Sequence, residues 1–279
     1  MKRFCLYALL IFTLASAALA IQAFWIGPRS LVVTRVDIAS TAWPPSAPPL
    51  KIVLIADPQP AGPHETPSRL RRVVQVANRE RPDLILLLGD YVSTRLLKTS
   101  FVPPEATTEV FGGLEAPLGI YAVLGNHDWW FDAPRVRRAF EAVGIEVLDN
   151  AARRLEHGVH ALWLAGVGDI TVGKDDLAGT LAAIPDDAPI IVMTHSPDLF
   201  PEVPGRVALT VAGHTHGGQV ALPYLGRPIV PSRFGERYAY GHVVEDGRHL
   251  FVTSGIGHAI LPVRFGVPPE IAVITLRAG

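Results

Sequence analysis

Eight short apolar runs recur from residue 50 onward, each closing on small or polar residues: LKIVLIAD, PDLILLLGD, GIYAVLGNHD, HALWLAGVGD, PIIVMTHS, ALTVAGHTH, HLFVTSGIG and EIAVITLRA. Runs of this length, continuous rather than alternating and rich in Val, Ile and Leu, predict strands buried on both faces. Helix-like stretches lie between several of them. In TPSRLRRVVQVANRERP the apolar residues Leu70, Val73, Val74 and Ala77 keep a three-to-four spacing. DAPRVRRAFEAVG has Asp132 as N-cap, Pro134 early and Gly144 at the stop. Strands alternating with helices, then a more strand-rich second half, predict a layered α/β fold.

The chain has 279 residues, 49% of them hydrophobic, enough to bury one large core. No Gly/Ser linker or shift of composition divides it after about residue 50, so residues 50–279 are expected to form one domain. No solenoid repeat is present. Ahead of that domain, residues 27–49 read as an edge strand (GPRSLVVTRVDI) followed by a proline-rich connector (TAWPPSAPPL), taken as an extended spacer.

Residues 1–26 differ from the rest: MKR precedes FCLYALLIFTLASAALAIQAFWI, an apolar run long enough to span a bilayer, for which roughly 20 residues are needed. Two readings stand. One is an uncleaved anchor; the other is a signal peptide with Lys2 and Arg3 as the basic region and Ala18-Leu19-Ala20 as the cleavage site. The run continues through Phe24, Trp25 and Ile26, which favours the anchor. Either way the remainder is expected outside the cytoplasm, held at the membrane in one case and secreted or periplasmic in the other.

Lys plus Arg number 25 against Asp plus Glu 26, a net charge of -1 that gives no electrostatic reason to expect a nucleic-acid partner. The only cysteine, Cys5, lies in the apolar run, so the remainder cannot carry a disulfide or a thiolate zinc site. Any metal must be held by oxygen and nitrogen.

Polar residues gather immediately after the apolar runs: Asp57 and Gln59, Asp90, then Asn126, His127 and Asp128, then His195, then His214 and His216. In open α/β sheets ligands bind outside the carboxyl ends of strands, so these residues can converge on one site. Singly, each has a plain reading: GD is commonly a turn, and a lone strand-end His is more often a structural residue than a ligand. GHTHGG is harder to dismiss, since flanking glycines let backbone approach closely. Carboxylate, amide oxygen and imidazole without thiolate suit Mn, Fe, Zn or related divalent ions rather than a structural zinc. The candidates exceed what one ion needs, and a central carboxylate can bridge two. Two ions about 3.5 to 4 Å apart can hold a water as hydroxide and clamp a phosphoryl group, so phosphate-ester hydrolysis is the reaction that best uses this inventory.

From residue 50 to the C-terminus, D-x-Q, GDYV, GNHDW, THSPDLF and GHTHGGQ stand in one order. In these motifs the sequence resembles the calcineurin-like metallophosphoesterase superfamily. GHTHGGQV and the closing SGIGHAILPVRFGVPPEIAVITL look most like its YkuE/YaeI type, membrane-associated or exported single-domain enzymes. The resemblance implies a four-layer α-β-β-α sandwich, two mixed β-sheets packed face to face and flanked by helices. It also implies that Asp57, Gln59 and His216 hold one metal, that Asp90 bridges, and that Asn126, His195 and His214 hold the second. His127 would then stabilise developing charge or protonate the leaving oxygen, with Asp128 orienting its imidazole.

At the second position of the first motif, LIADPQPAG, the family usually has histidine. The amide of Gln59 offers a neutral carbonyl oxygen instead, so a site of altered affinity is expected rather than a lost one. The expected activity is a dinuclear phosphomonoesterase or phosphodiesterase working through a bridging hydroxide, on a phospholipid or lipid-linked phosphate, with a monomer as the expected form. A pyrophosphatase of the UDP-diacylglucosamine type and a non-catalytic metal-binding protein at the membrane surface are the alternatives. Arg233, Arg237 and Arg264 are candidate phosphate partners, His64 and His258 candidate pocket residues, and Trp129 and Trp130 candidates for an apolar wall.

Overall fold

The computed structural model describes residues 2–94, 98–158, 160–185 and 187–279. Five strands come first: β1 (Val32–Ser40), β2 (Leu50–Ile55), β3 (Leu84–Leu88), β4 (Ile120–Val123) and β5 (Glu146–Val147). Seven follow: β6 (Ala151–His157), β7 (His160–Val167), β8 (Ile190–Thr194), β9 (Val207–Ala212), β10 (Gly241–Glu245), β11 (Arg248–Val252) and β12 (Glu270–Ala278). They make two six-stranded mixed sheets, ordered β1-β12-β2-β3-β4-β5 and β10-β11-β9-β8-β7-β6. Strands β2 to β5 pair in parallel, as do β7, β8, β9 and β11. Antiparallel pairing joins β12 to β2, β6 to β7 and β10 to β11.

The continuous apolar runs have a direct cause. Successive residues of a strand point to opposite faces, and here both faces are covered. Ile52, Leu54, Leu86 and Val123 of the first sheet meet Leu164, Ile191, Met193 and Val211 of the second in a shared core. Val53, Ile55, Ile85 and Leu87 point the other way, against the helices. The outer face of the second sheet packs Ala165, Ile190 and Val192 on Leu177 and Leu181. The four-layer sandwich is therefore the observed architecture.

Apart from the N-terminal helix α1 (Lys2–Ile21), the helices are α2 (Pro67–Arg79), α3 (Pro104–Phe111), α4 (Asn126–Phe131), α5 (Ala133–Glu141) and α6 (Leu177–Ala182). Helix α2 buries the four residues singled out by their spacing, Leu70, Val73, Val74 and Ala77. Full burial of a Leu or Val side chain such as Leu70 or Val73 contributes about 1.5–3 kcal/mol. Thr66 caps α2 by accepting from the Arg69 N–H, and Asp132 caps α5 by accepting from Arg135 N–H at 3.0 Å.

Residues 27–49 contain the expected edge strand, and the connector after it is more than a spacer. Strand β1 runs parallel to β12 over nine paired positions at the sheet edge. Residues 41–49 follow as turns, yet Trp43 is 1% exposed and belongs to the core between the sheets. Proline signalled the turns correctly but could not reveal that an aromatic between them is pulled inward, since burial of so large an apolar side chain depends on which cavity the fold presents. At the N-terminus, the helical segment Arg3–Arg29 is long and apolar enough to cross a membrane.

Candidate metal centre

Five strands of the two sheets end at one cleft. Asp57 and Gln59 follow β2, Asp90 follows β3, Asn126 opens α4 after β4, His195 follows β8, and His214 and His216 follow β9. All seven residues named as metal ligands come together there. Asp90, His195 and His214 offer donor atoms within 4.8 Å of one another, as do Asp57, Asp90 and His216. Asp90 belongs to both sets.

The backbone is bent to achieve this. Asp57 (φ 52°), Gln59 (φ 34°), Asp90 (φ 62°), His214 (φ 69°) and His216 (φ 50°) all sit at positive φ. Non-glycine residues there cost on the order of 1 kcal/mol or more each and persist only where surrounding structure holds them. Glycines give the room: a Cβ on Gly125 would lie 2.3 Å from Asp90 Oδ1, and one on Gly89 (φ 94°) 2.5 Å from His195 Nδ1. Any larger residue at either position would displace a candidate ligand.

Hydrogen bonds orient the donors. His195 Nδ1 donates to the Leu88 carbonyl (2.7 Å), which turns Nε2 toward the cleft. Around that Nε2 stand Asn126 Oδ1 (3.1 Å), His214 Nδ1 (3.1 Å) and Asp90 Oδ2 (3.5 Å). Carbonyl oxygen, carboxylate and imidazole lone pairs converging at such range repel one another unless a proton or cation lies among them. On the other side, His216 Nε2 is 3.7 Å from Asp57 Oδ1. His216 Nδ1 and Gln59 Oε1 are buried without hydrogen-bond partners. Buried polar atoms left unsatisfied beside clustered carboxylates and imidazoles fit a cation site, and the donor set suits oxygen- and nitrogen-preferring divalent ions.

Protonation follows the same geometry. Burial pushes the Asp57 carboxyl up to about 7, with the Asp90 carboxylate adding to the rise against the imidazole of His195. Burial acts on Asp90 in the same sense, but the imidazoles of His195 and His127 outweigh it and hold this carboxylate below its ordinary range. Burial drives His214 down to about 3, helped by His195, and lowers His216, helped by the Arg264 guanidinium. Two imidazoles are thus kept neutral, the form in which imidazole ligates metal, whereas for His195 burial is outweighed by the Asp90 carboxylate and the imidazole is held well above its ordinary range.

Asp128 does not orient the His127 ring. Its carboxylate accepts from the backbone N–H groups of Gly125 (2.9 Å), Asp90 (2.9 Å) and Tyr91 (2.8 Å), tying the β3 and β4 ends together. The ring partner is Thr94, whose Oγ1 lies 2.5 Å from His127 Nδ1. Thr94 carried no sequence signal, because it sits in a loop without periodicity and meets His127 only through the fold. The His127 backbone N–H donates to Asp90 Oδ1 (2.9 Å), and its ring meets the edge of exposed Trp130 at 4.9 Å. Trp129 packs instead against the core beneath the helices.

The arginine candidates are engaged elsewhere. Arg264 is fully buried and donates to the carbonyls of Gly257, His216, Ser254 and Gly255. Arg233 bonds Asp198, and Arg237 pairs with Glu245. His64 Nε2 donates to the Phe24 carbonyl (2.9 Å), and His258 pairs with Glu65 (2.9 Å), so both are structural.

The sequence profile described as calcineurin-like phosphoesterase matches residues 50–218. The chain belongs to this family. It is 30% identical to the uncharacterized metallophosphoesterase YkuE of Bacillus subtilis (strain 168), over 91% of this chain and 88% of that one. It is 29% identical to phosphodiesterase YaeI of Escherichia coli (strain K12), covering 83% of each. A Danio rerio transmembrane protein with metallophosphoesterase domain is 25% identical over 94% of this chain, which spans 61% of that relative. As a calcineurin-like phosphoesterase, the chain is a metal-dependent phosphoester hydrolase, and the cleft holds the Asp and His clusters on which this family's metal chemistry depends.

Proposed function

We propose that this phosphoesterase hydrolyses phosphate esters at a two-ion centre held by Asp57, Gln59, Asp90 and His216 on one side and by Asp90, Asn126, His195 and His214 on the other. The observation that carries this reading is the sharing of Asp90 between the two donor sets. Divalent ions of the Mn, Fe or Zn class would supply Lewis acidity toward water and the phosphoryl group.

The chain's own residues have separate tasks. Asp90 anchors both sets while accepting from the His127 backbone N–H. His127 Nε2, 3.8 Å from Asp90 Oδ2, faces the cleft with its other nitrogen tied to Thr94. It is our proton donor to the departing oxygen. Hydrolysis then balances: the P–O bond to the alcohol breaks, water's oxygen bonds phosphorus, and the alcohol leaves with a proton. Asp128 braces the loops that carry Asp90 and Asn126.

In this reading residues 1–26 anchor the chain, residues 27–49 form the edge strand and connector, and residues 50–279 form the catalytic domain outside the cytoplasm. The basic Lys2 and Arg3 ahead of the apolar run support that orientation. The test is metal content per chain together with hydrolysis of bis-p-nitrophenyl phosphate and p-nitrophenyl phosphate under added manganese. Two ions and turnover support the proposal; one ion or none, with no turnover under any added ion, overturns it.

A further inference from the structure

Next to the candidate metal centre lies a groove of about 400 Å³ that the chemistry above leaves unused. His216 forms part of its wall, and Val220, Ile229, Ile260, Leu261 and Val263 are among the apolar residues that line it. This volume lies within the roughly 300–1,000 Å³ typical of small-molecule pockets. The rim is open: Ile229 and Ile260 are each 72% exposed and Leu261 is 40% exposed. Exposed branched aliphatic residues clustered on a catalytic domain call for an apolar neighbour.

The backbone fixes where this rim sits. The Arg264 N–H donates to the Ala23 carbonyl (2.9 Å), and His64 bonds the carbonyl of Phe24 while meeting the Trp25 ring edge. Ala221 and Phe265 bond backbone to backbone (2.8 Å), as do Phe265 and Gln219 (3.0 Å), clamping the two walls together. The wall carrying Ile260, Leu261 and Val263 is thereby fastened to the end of the one described helix long and apolar enough to cross a membrane. With that helix anchored in a bilayer as proposed above, a groove attached there would open near the membrane surface, and its wall includes His216, a candidate metal ligand.

We infer that this groove takes the aliphatic arm of an amphiphilic phosphate ester, so that the substrate class is a lipid-like phosphate drawn from the membrane surface. The inference rests on the phosphoesterase reading above. An entirely water-soluble ester would leave the groove empty and its rim exposed to no purpose, whereas an alkyl chain entering past Ile229 and Leu261 reaches the wall at His216 with its phosphoryl group beside Asp57.

The test uses the manganese-loaded full chain in phosphatidylcholine nanodiscs, with methyl-, butyl- and hexylphosphonate as probes and empty nanodiscs as blank. Calorimetric binding is expected to tighten with chain length, by up to about fourfold per methylene. The ratio of hexyl to methyl affinity is expected to collapse in the double variant Ile229→Asp, Leu261→Asp, both changes lying on the exposed rim. Equal affinity for methyl and hexyl probes in the wild type overturns the inference, as does an unchanged ratio in the variant. Turnover of methyl p-nitrophenyl phosphate, measured separately, reports on the phosphoesterase reading: its presence with flat chain-length dependence removes the groove alone.

Discussion

Gln59 Nε2 donates to Asp90 Oδ2 at 2.8 Å, and the carbonyl end of the same amide is buried without a partner. The amide at this position, where the resemblance implies histidine, therefore touches the shared carboxylate directly. A half-turn of the amide would present its oxygen to a cation at the same carboxylate. Gln59→Ala is expected to weaken one of the two ions by about 10-fold or more, the scale seen when a metal site loses a supporting group. Gln59→His is expected to retain both. Metal content after dialysis against a graded chelator reads this; equal retention of both ions by Gln59→Ala would remove Gln59 from the ligand set.

Thr94 takes the ring-orienting role expected of Asp128, which braces backbone instead, and their variants should separate. Asp128→Ala strands three backbone N–H groups, at about 1–3 kcal/mol for each buried donor left unsatisfied, so its melting temperature should fall sharply. Thr94→Val frees the His127 ring. It should lower kcat with little change in melting temperature or metal content. His127→Ala should lose about 10²–10⁴ in kcat with both ions retained. Unchanged hydrolysis in His127→Ala would refute the assigned proton donor.

Arg264 should prove a brace. Its guanidinium reaches the carbonyls of His216, Ser254, Gly255 and Gly257 with no solvent contact, and burial lowers its pKa to about 10. Arg264→Met leaves those carbonyls without their donor, and a loss of about 3 kcal/mol or more is expected in denaturant unfolding. A variant with wild-type stability and weakened phosphate binding would make Arg264 a substrate residue after all.

His242 and His249 face each other across β10 and β11 with stacked rings, centroids 5.3 Å apart. Burial lowers both pKa values, and His249 lowers that of His242 further. A histidine whose folded pKa lies below the unfolded one is neutral in the fold, so its stability contribution is complete above the unfolded value, near 6.5, and declines as pH falls from there. The melting temperature between pH 7.5 and 5.5 should fall less steeply in His242→Gln than in the wild type; parallel slopes would show that the pair does not titrate with folding.

The amino-acid sequence by itself determined the elements and the polar residues that gather at the cleft. Continuous apolar runs became strands covered on both faces, and the spacing of Leu70, Val73, Val74 and Ala77 became the buried face of α2, because both patterns record how one element meets a core. The strand-end residues Asp57, Gln59, Asp90, Asn126, His195, His214 and His216 were legible because parallel strands deliver their carboxyl ends to one side. Tertiary structure decided what those residues touch. Whether Asp128 serves a ring or a loop, whether Arg264 meets substrate or carbonyls, and that residues 215–220 and 259–263 wall one groove all depend on contacts between segments tens of residues apart. A hydrogen bond needs its partners within about 3 Å, and only the packing of the two sheets sets that distance.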